Sequence, residues 1–252
     1  MAERNERHDV DVLERGRIYF LYRPAVEEAT PSGVVDLQRL FLVLHPEGEE
    51  RRRLLVVGHK KLPDVHGGSQ KFWGFVDQVA ESAEDLAETL AWSEHDPETG
   101  SARPQAAARP AGEGDYALVR HGDHAHLAYK LAVPASPGEV QSALNIAAEA
   151  SYVLSVKNPE ASSPQGIGLD RSRRAEFPKA LQERFGDRRF IPLDAPAFLD
   201  HEGAEILLMA PHEDVEAELG LELEAHDSPE VFDDLSIEKT ERATEPLKGH
   251  WA

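Results

Sequence analysis

The chain has 252 residues, 40% of them hydrophobic and 29% charged, with a formal net charge of −20 and no cysteine. That length can bury a sizeable core. The missing cysteine excludes disulfides, thiolate zinc sites and cysteine nucleophiles, and the negative charge disfavours general binding to nucleic-acid phosphates. No apolar run reaches the ~20 residues that a membrane helix needs, and the start MAERNERHDVDV has no signal-peptide core. The expectation is a soluble, cytoplasmic protein without a membrane partner.

Residues 1–13 are polar and read as a flexible N-terminus. Gly16 opens RIYFLYR, an aromatic and β-branched run that Pro24 ends, and this predicts a strand. LQRLFLVLHP (37–46) is nearly all apolar, as in a strand buried on both faces, and RRRLLVVGHK (51–60) reads as its antiparallel return. KFWGFVD (71–77) is a further strand, in which Gly74 signals a bulge or a close backbone approach. From Ser82 to Trp92 the period becomes helical, with Ser82 and Asp85 as an N-cap pair and Leu86 and Leu90 on one face. Residues 93–113 hold almost no large apolar side chain and three prolines, which predicts a flexible insertion.

GDYALVRHGDHAHLAYKLAV (114–133) predicts a hairpin turning at Gly122-Asp123, with glycine at the first central position of a type II′ turn. That turn pairs His121 with His124, Val119 with His126, Leu118 with Leu127, Tyr116 with Tyr129 and Asp115 with Lys130. One face then carries Tyr116, Leu118, Leu127, Tyr129 and Leu131 and should be buried, while the other is the wet one. SPGEVQSALNI has room for one or two helical turns, and SYVLSVK (151–157) is a strand. Asp170 is placed to cap a helix over RSRRAEF, and Gly186 to end a second turn-rich piece, PKALQERF. RRFIPL and GAEILLMAP (203–211) are strands. From Glu213 to Glu245 thirteen acidic residues face only Lys239 and Arg242, and residues 227–252 read as an acidic disordered tail.

The fold expectation is α+β, mostly antiparallel β, with about nine or ten strands and two or three short helices. Residues 14–226 would form a single β-rich domain, or two lobes, 14–92 and 114–226, joined by the insertion.

His121, His124 and His126 share the outer face of the hairpin, where three imidazoles could converge on zinc or iron and leave a fourth position open. HGDHAH does not match the His-x-His-x-Asp-His order of metallo-β-lactamases. Nor does His124-Ala125-His126 have the glycine before it and the glutamate after it that cupins place there. The bland alternative is a solvated hairpin face. Arg171, Arg173, Arg174, Arg188 and Arg189 lie in a basic island that could grip a carboxylate or phosphate by bidentate contacts, or neutralise the acidic tail. Asp200-His201-Glu202 and His212-Glu213 flank one strand too far apart to share a metal. Nucleophile elbows, phosphate loops, dinucleotide turns and His-Glu-x-x-His are missing from the sequence. The favoured expectation is a non-catalytic binding module that engages a protein partner through its sheet or basic island. The rival is a metal-dependent enzyme built on the three histidines.

Overall fold

Along Arg17–Arg23 successive side chains point to opposite sides, yet both sides are buried: Ile18, Phe20 and Tyr22 join one core cluster, Tyr19 and Leu21 another. A strand apolar on both faces needs cover on both, and the architecture supplies it. The computed structural model describes residues 10–68, 70–95, 103–163, 168–212, 215–221, 223, 225 and 230–252. Among these are eleven strands: β1 (Val10–Pro24), β2 (Leu37–Pro46), β3 (Arg52–Val57), β4 (Lys71–Ala80), β5 (Ser93–His95), β6 (Arg103–Gln105), β7 (Arg109–His121), β8 (His124–Val133), β9 (Glu149–Lys157), β10 (Phe190–Pro192) and β11 (Glu205–His212). Their pairing follows the order β10-β9-β11-β4-β3-β2-β1-β7-β8, and a further β8–β9 pairing closes eight of them into an antiparallel barrel. The short helices are α1 (Ala83–Leu90), α2 (Glu139–Leu144), α3 (Lys179–Gln182), α4 (Val215–Leu219), α5 (Val231–Asp234) and α6 (Glu241–Thr244).

The inward residues fill the barrel, as the side chains of an eight-stranded barrel can. Ile18, Phe20, Leu42, Leu55, Leu118, Leu127, Tyr152 and Ile206 all belong to this interior cluster. Val140 and Leu144 of α2 join it at the Pro24 end of β1, where Gln141 donates to the Ala111 carbonyl. Phe185, Phe198 and Leu199 join it at the opposite end, next to the Arg53–Asp200 contact. Outside the barrel, α1, α5 and the chain around Leu247 cover Tyr19, Leu21, Phe41, Val43, Leu54 and Val56.

The hairpin register agrees with the expectation at all five pairs, and Gly122 takes φ +57°, as the first position of a type II′ turn requires. The Ser82 hydroxyl accepts from the Asp85 amide 3.2 Å away and starts α1, which buries Leu86 and Leu90. A Cβ on Gly74 would meet the Val56 carbonyl oxygen at 2.8 Å, which is the close backbone approach expected there.

Five expectations are corrected. The described residues form eleven strands and six short helices, against the expected nine or ten strands (about) and two or three helices, because the added elements are too short to show a period. β1 begins at Val10, because Val10, Asp11 and Val12 pair with His121, Arg120 and Val119 of β7. Only residues 1–9 of the segment read as flexible fall outside the described residues. The segment read as an insertion contributes strands: β5 pairs with β6, and β7 starts at Arg109, where small residues let the backbone lie against β1. Residues 96–102 lie outside the described residues. Asp170 caps no helix, since Arg171–Arg173 is a single 3-10 turn without a side-chain cap. From Glu230 onward the segment read as a disordered tail is packed, with Val231 and Leu235 fully buried against the outer barrel surface. Its few apolar residues suffice because that surface is itself apolar.

Candidate functional site

The three histidines lie at the turn end of the hairpin. The ring centres of His121 and His124 are 6.2 and 6.4 Å from that of His126. His126 is buried, with Nδ1 3.0 Å from the Ser151 hydroxyl. Among the described residues no group of three or more His, Asp or Glu side chains is placed to hold a metal ion. The zinc or iron site read from the sequence therefore has no assembled ligand set. The face expected to be wet is also partly covered: Ala117, Val119 and Ala128 are buried beneath Val215 and Leu219 of α4.

The basic island separates into several places. Arg171 is exposed. Arg173 faces Asp77 at 3.9 Å and lies over the Phe75 ring. Arg174 donates to the carbonyls of Leu169, Pro159 and Ala161 and to the Ser163 hydroxyl, at 3.1 to 3.2 Å, and so ties down the chain that follows β9. Beneath that chain Lys157 and Glu205 form a buried ion pair at 2.8 Å. Arg188 donates to the Arg184 and Phe185 carbonyls, and Arg189 to the Ser162 hydroxyl. Of the five arginines only Arg188 reaches the hairpin histidines' neighbourhood, lining a cavity of about 320 Å³ with Arg120, Arg184 and His124. Asp123 and Asp194 line it as well, and Asp194 pairs with Arg184 at 2.8 Å, so its charges are largely balanced. The Asp200 and Glu202 carboxylates are likewise engaged, with Arg53 and with the Val79 amide.

A groove lies elsewhere, in the three stretches that read as helix end, insertion and tail. It is bounded by the C-terminal part of α1 with Trp92, by Ala106–Arg109, and by Ser236–Ala243, and encloses about 580 Å³. Arg23 of β1 donates to the Thr89 carbonyl at 2.6 Å and so holds the end of α1, where helix carbonyls lack intrahelical partners. Trp92 is 57% exposed beside this groove. At its lip Arg109 is buried and donates to the Ala29 carbonyl at 2.8 Å and to the Ala252 carbonyl. Burial, with the nearby Arg242 charge, pushes the Arg109 guanidinium below its ordinary pKa, while Tyr22 and Glu28 oppose the shift. Arg242 is exposed and has neither a hydrogen bond nor an ion pair among the described residues.

The wall formed by residues 236–243 is held by a polar network just before it. Glu113 is fully buried and accepts the Glu230 and Val231 amides at 2.9 and 3.1 Å, closing the start of α5. Burial raises the Glu113 pKa, and those amides and Arg17 act against the rise. Asp234 accepts from Tyr19, from Arg52 at 3.0 Å and from His45 Nδ1 at 2.8 Å. Burial works against its ionisation, yet the His45 and Tyr19 hydrogen bonds and the Arg52 charge bring its pKa down to about 2. His45 Nε2 lies 2.7 Å from the Glu49 carbonyl, so both ring nitrogens face acceptors and only the imidazolium donates to both. The Asp234 hydrogen bond raises the His45 pKa, against the effect of burial.

The shifted groups of this network are thus spent on holding the C-terminal segment. The groove itself offers an apolar surface with hydroxyls, carboxylates and guanidinium groups at its edges. That surface can bind. Compared with known proteins, the chain matches no family model, and neither a curated protein nor a solved structure matches it significantly.

Proposed function

We propose that this protein is a non-catalytic binding module whose ligand lies in the groove beside Trp92. The observation that carries the reading is the half-exposed indole standing at an apolar groove of about 580 Å³. Small-molecule sites commonly enclose about 300–1,000 Å³ and are lined mainly by apolar and aromatic groups with a few polar ones. Tryptophan is a frequent energetic anchor of such sites, because it removes a large area from water at little conformational cost. The fold supports the reading too: Arg23 and Asp234 fix two walls of the groove before any ligand arrives. The absence of cysteine suits a reducing, cytoplasmic setting for such a module.

Titration of the full chain with Nile red, a neutral apolar dye, tests the proposal. One saturable site should appear, weakened about tenfold or more by Trp92→Ala. Equal binding by the wild-type and Trp92→Ala proteins would refute it.

A further inference from the structure

We infer that the groove takes a free amphipathic carboxylic acid, its apolar body on Trp92 and its carboxylate on Arg242; this rests on the binding-module reading above. The first argument is charge. The chain carries 47 acidic residues against 27 basic ones, so an anionic ligand needs a guanidinium that the protein's own carboxylates leave open. Arg242 pairs with no carboxylate among the described residues, although Glu88 and Glu238 line the same groove. It stands instead near a second guanidinium, that of Arg109, and the two repel each other. Arg109 already spends donors on the Ala29 and Ala252 carbonyls, which leaves Arg242 as the side with open donors. A carboxylate there would be held by two parallel N–H···O bonds and would relieve the like-charge pair.

The second argument selects the kind of anion. Glu88 and Glu238 are exposed on the rim and repel any further negative charge. For a phosphate dianion the attraction to Arg242 and the repulsion from the two carboxylates both double, but the cost of taking the ion out of water rises about fourfold, which favours the single charge beside an apolar groove. The apolar remainder of the groove (Leu90, Ala107, Ala108, Ile237 and the Trp92 indole) leaves the body of the ligand no polar partner to require. The enclosed volume fits a small molecule.

The experiment is displacement of Nile red from the full chain by decanoate and by decanol, which share an apolar chain and differ in the head group. Decanoate should displace the dye at a concentration about tenfold lower than decanol, and decyl phosphate should fall behind decanoate. In Arg242→Gln the preference for decanoate over decanol should disappear, while Arg15→Gln, an exposed arginine outside the groove, should keep it. Equal displacement by decanoate and decanol, or a preference that survives Arg242→Gln, would overturn the carboxylate assignment and leave the module standing. Failure of Nile red to bind at all would overturn both.

Discussion

Arg53 lies on a strand otherwise rich in leucine and valine, and its side chain is 1% exposed. Glu14 and Asp200 each accept from it at 2.7 Å, and the Tyr116 hydroxyl adds a bond to Glu14 at 2.8 Å. Burial opposes the Arg53 charge, but the two carboxylates more than compensate and its pKa rises. A buried charge network of this kind gives little net stability over apolar packing, yet removing one member strands the others. Arg53→Ala should therefore cost about 3 kcal/mol in urea unfolding, because it leaves Glu14 without a cation and Asp200 with Arg51 alone, 3.1 Å away. A loss below about 1 kcal/mol would show that water reaches and rescues them.

Among the elements, the C-terminal segment depends most on titratable groups. Asp234, with a pKa of about 2 against an ordinary 3.8, stabilises its docking above about pH 4 and loses that contribution as pH falls through 2. His45, with its pKa raised above 6.5, contributes fully below 6.5 and loses that contribution as pH climbs through the folded value. Glu113 acts in the same sense as His45 and opposite to Asp234: its raised pKa favours docking at low pH and costs stability as pH climbs above an ordinary 4.5. Arg17 and Arg52 face the same network, as does Tyr19, whose hydroxyl burial and Asp234 hold protonated. The His45 and Asp234 contacts should thus hold the segment most firmly between about pH 4 and 6.5. Amide hydrogen exchange over 230–235, corrected for intrinsic rates, should show easier opening as pH rises above that window. His45→Gln should flatten this alkaline limb, and a limb of unchanged slope would remove His45 from the account.

At the scale of the whole molecule, what could be read from the sequence follows from where each pattern repeats. The 114–133 hairpin has both a period of two and a turn glycine, so its register was legible pair by pair. The first turn of α1 announced itself through Ser82. Barrel closure was not legible, because pairing β8 with β9 depends on curvature accumulated over eight strands. The groove was missed for another reason. Ala106–Arg109 and Ile237–Ala243 carry only one large apolar side chain, Ile237, and gain order by lying on a neighbour. A signal was present nonetheless: consecutive Tyr19, Phe20, Leu21 and Tyr22 are apolar on both faces, so something had to cover the outer one.

Calorimetric titration of the full chain with decanoate at several temperatures tests the binding account most directly. We expect one site per chain, a negative heat-capacity change from the apolar area buried at the indole, and loss of the heat signal in Trp92→Ala. Saturable binding with a heat-capacity change near zero, or undiminished heat in Trp92→Ala, would contradict it.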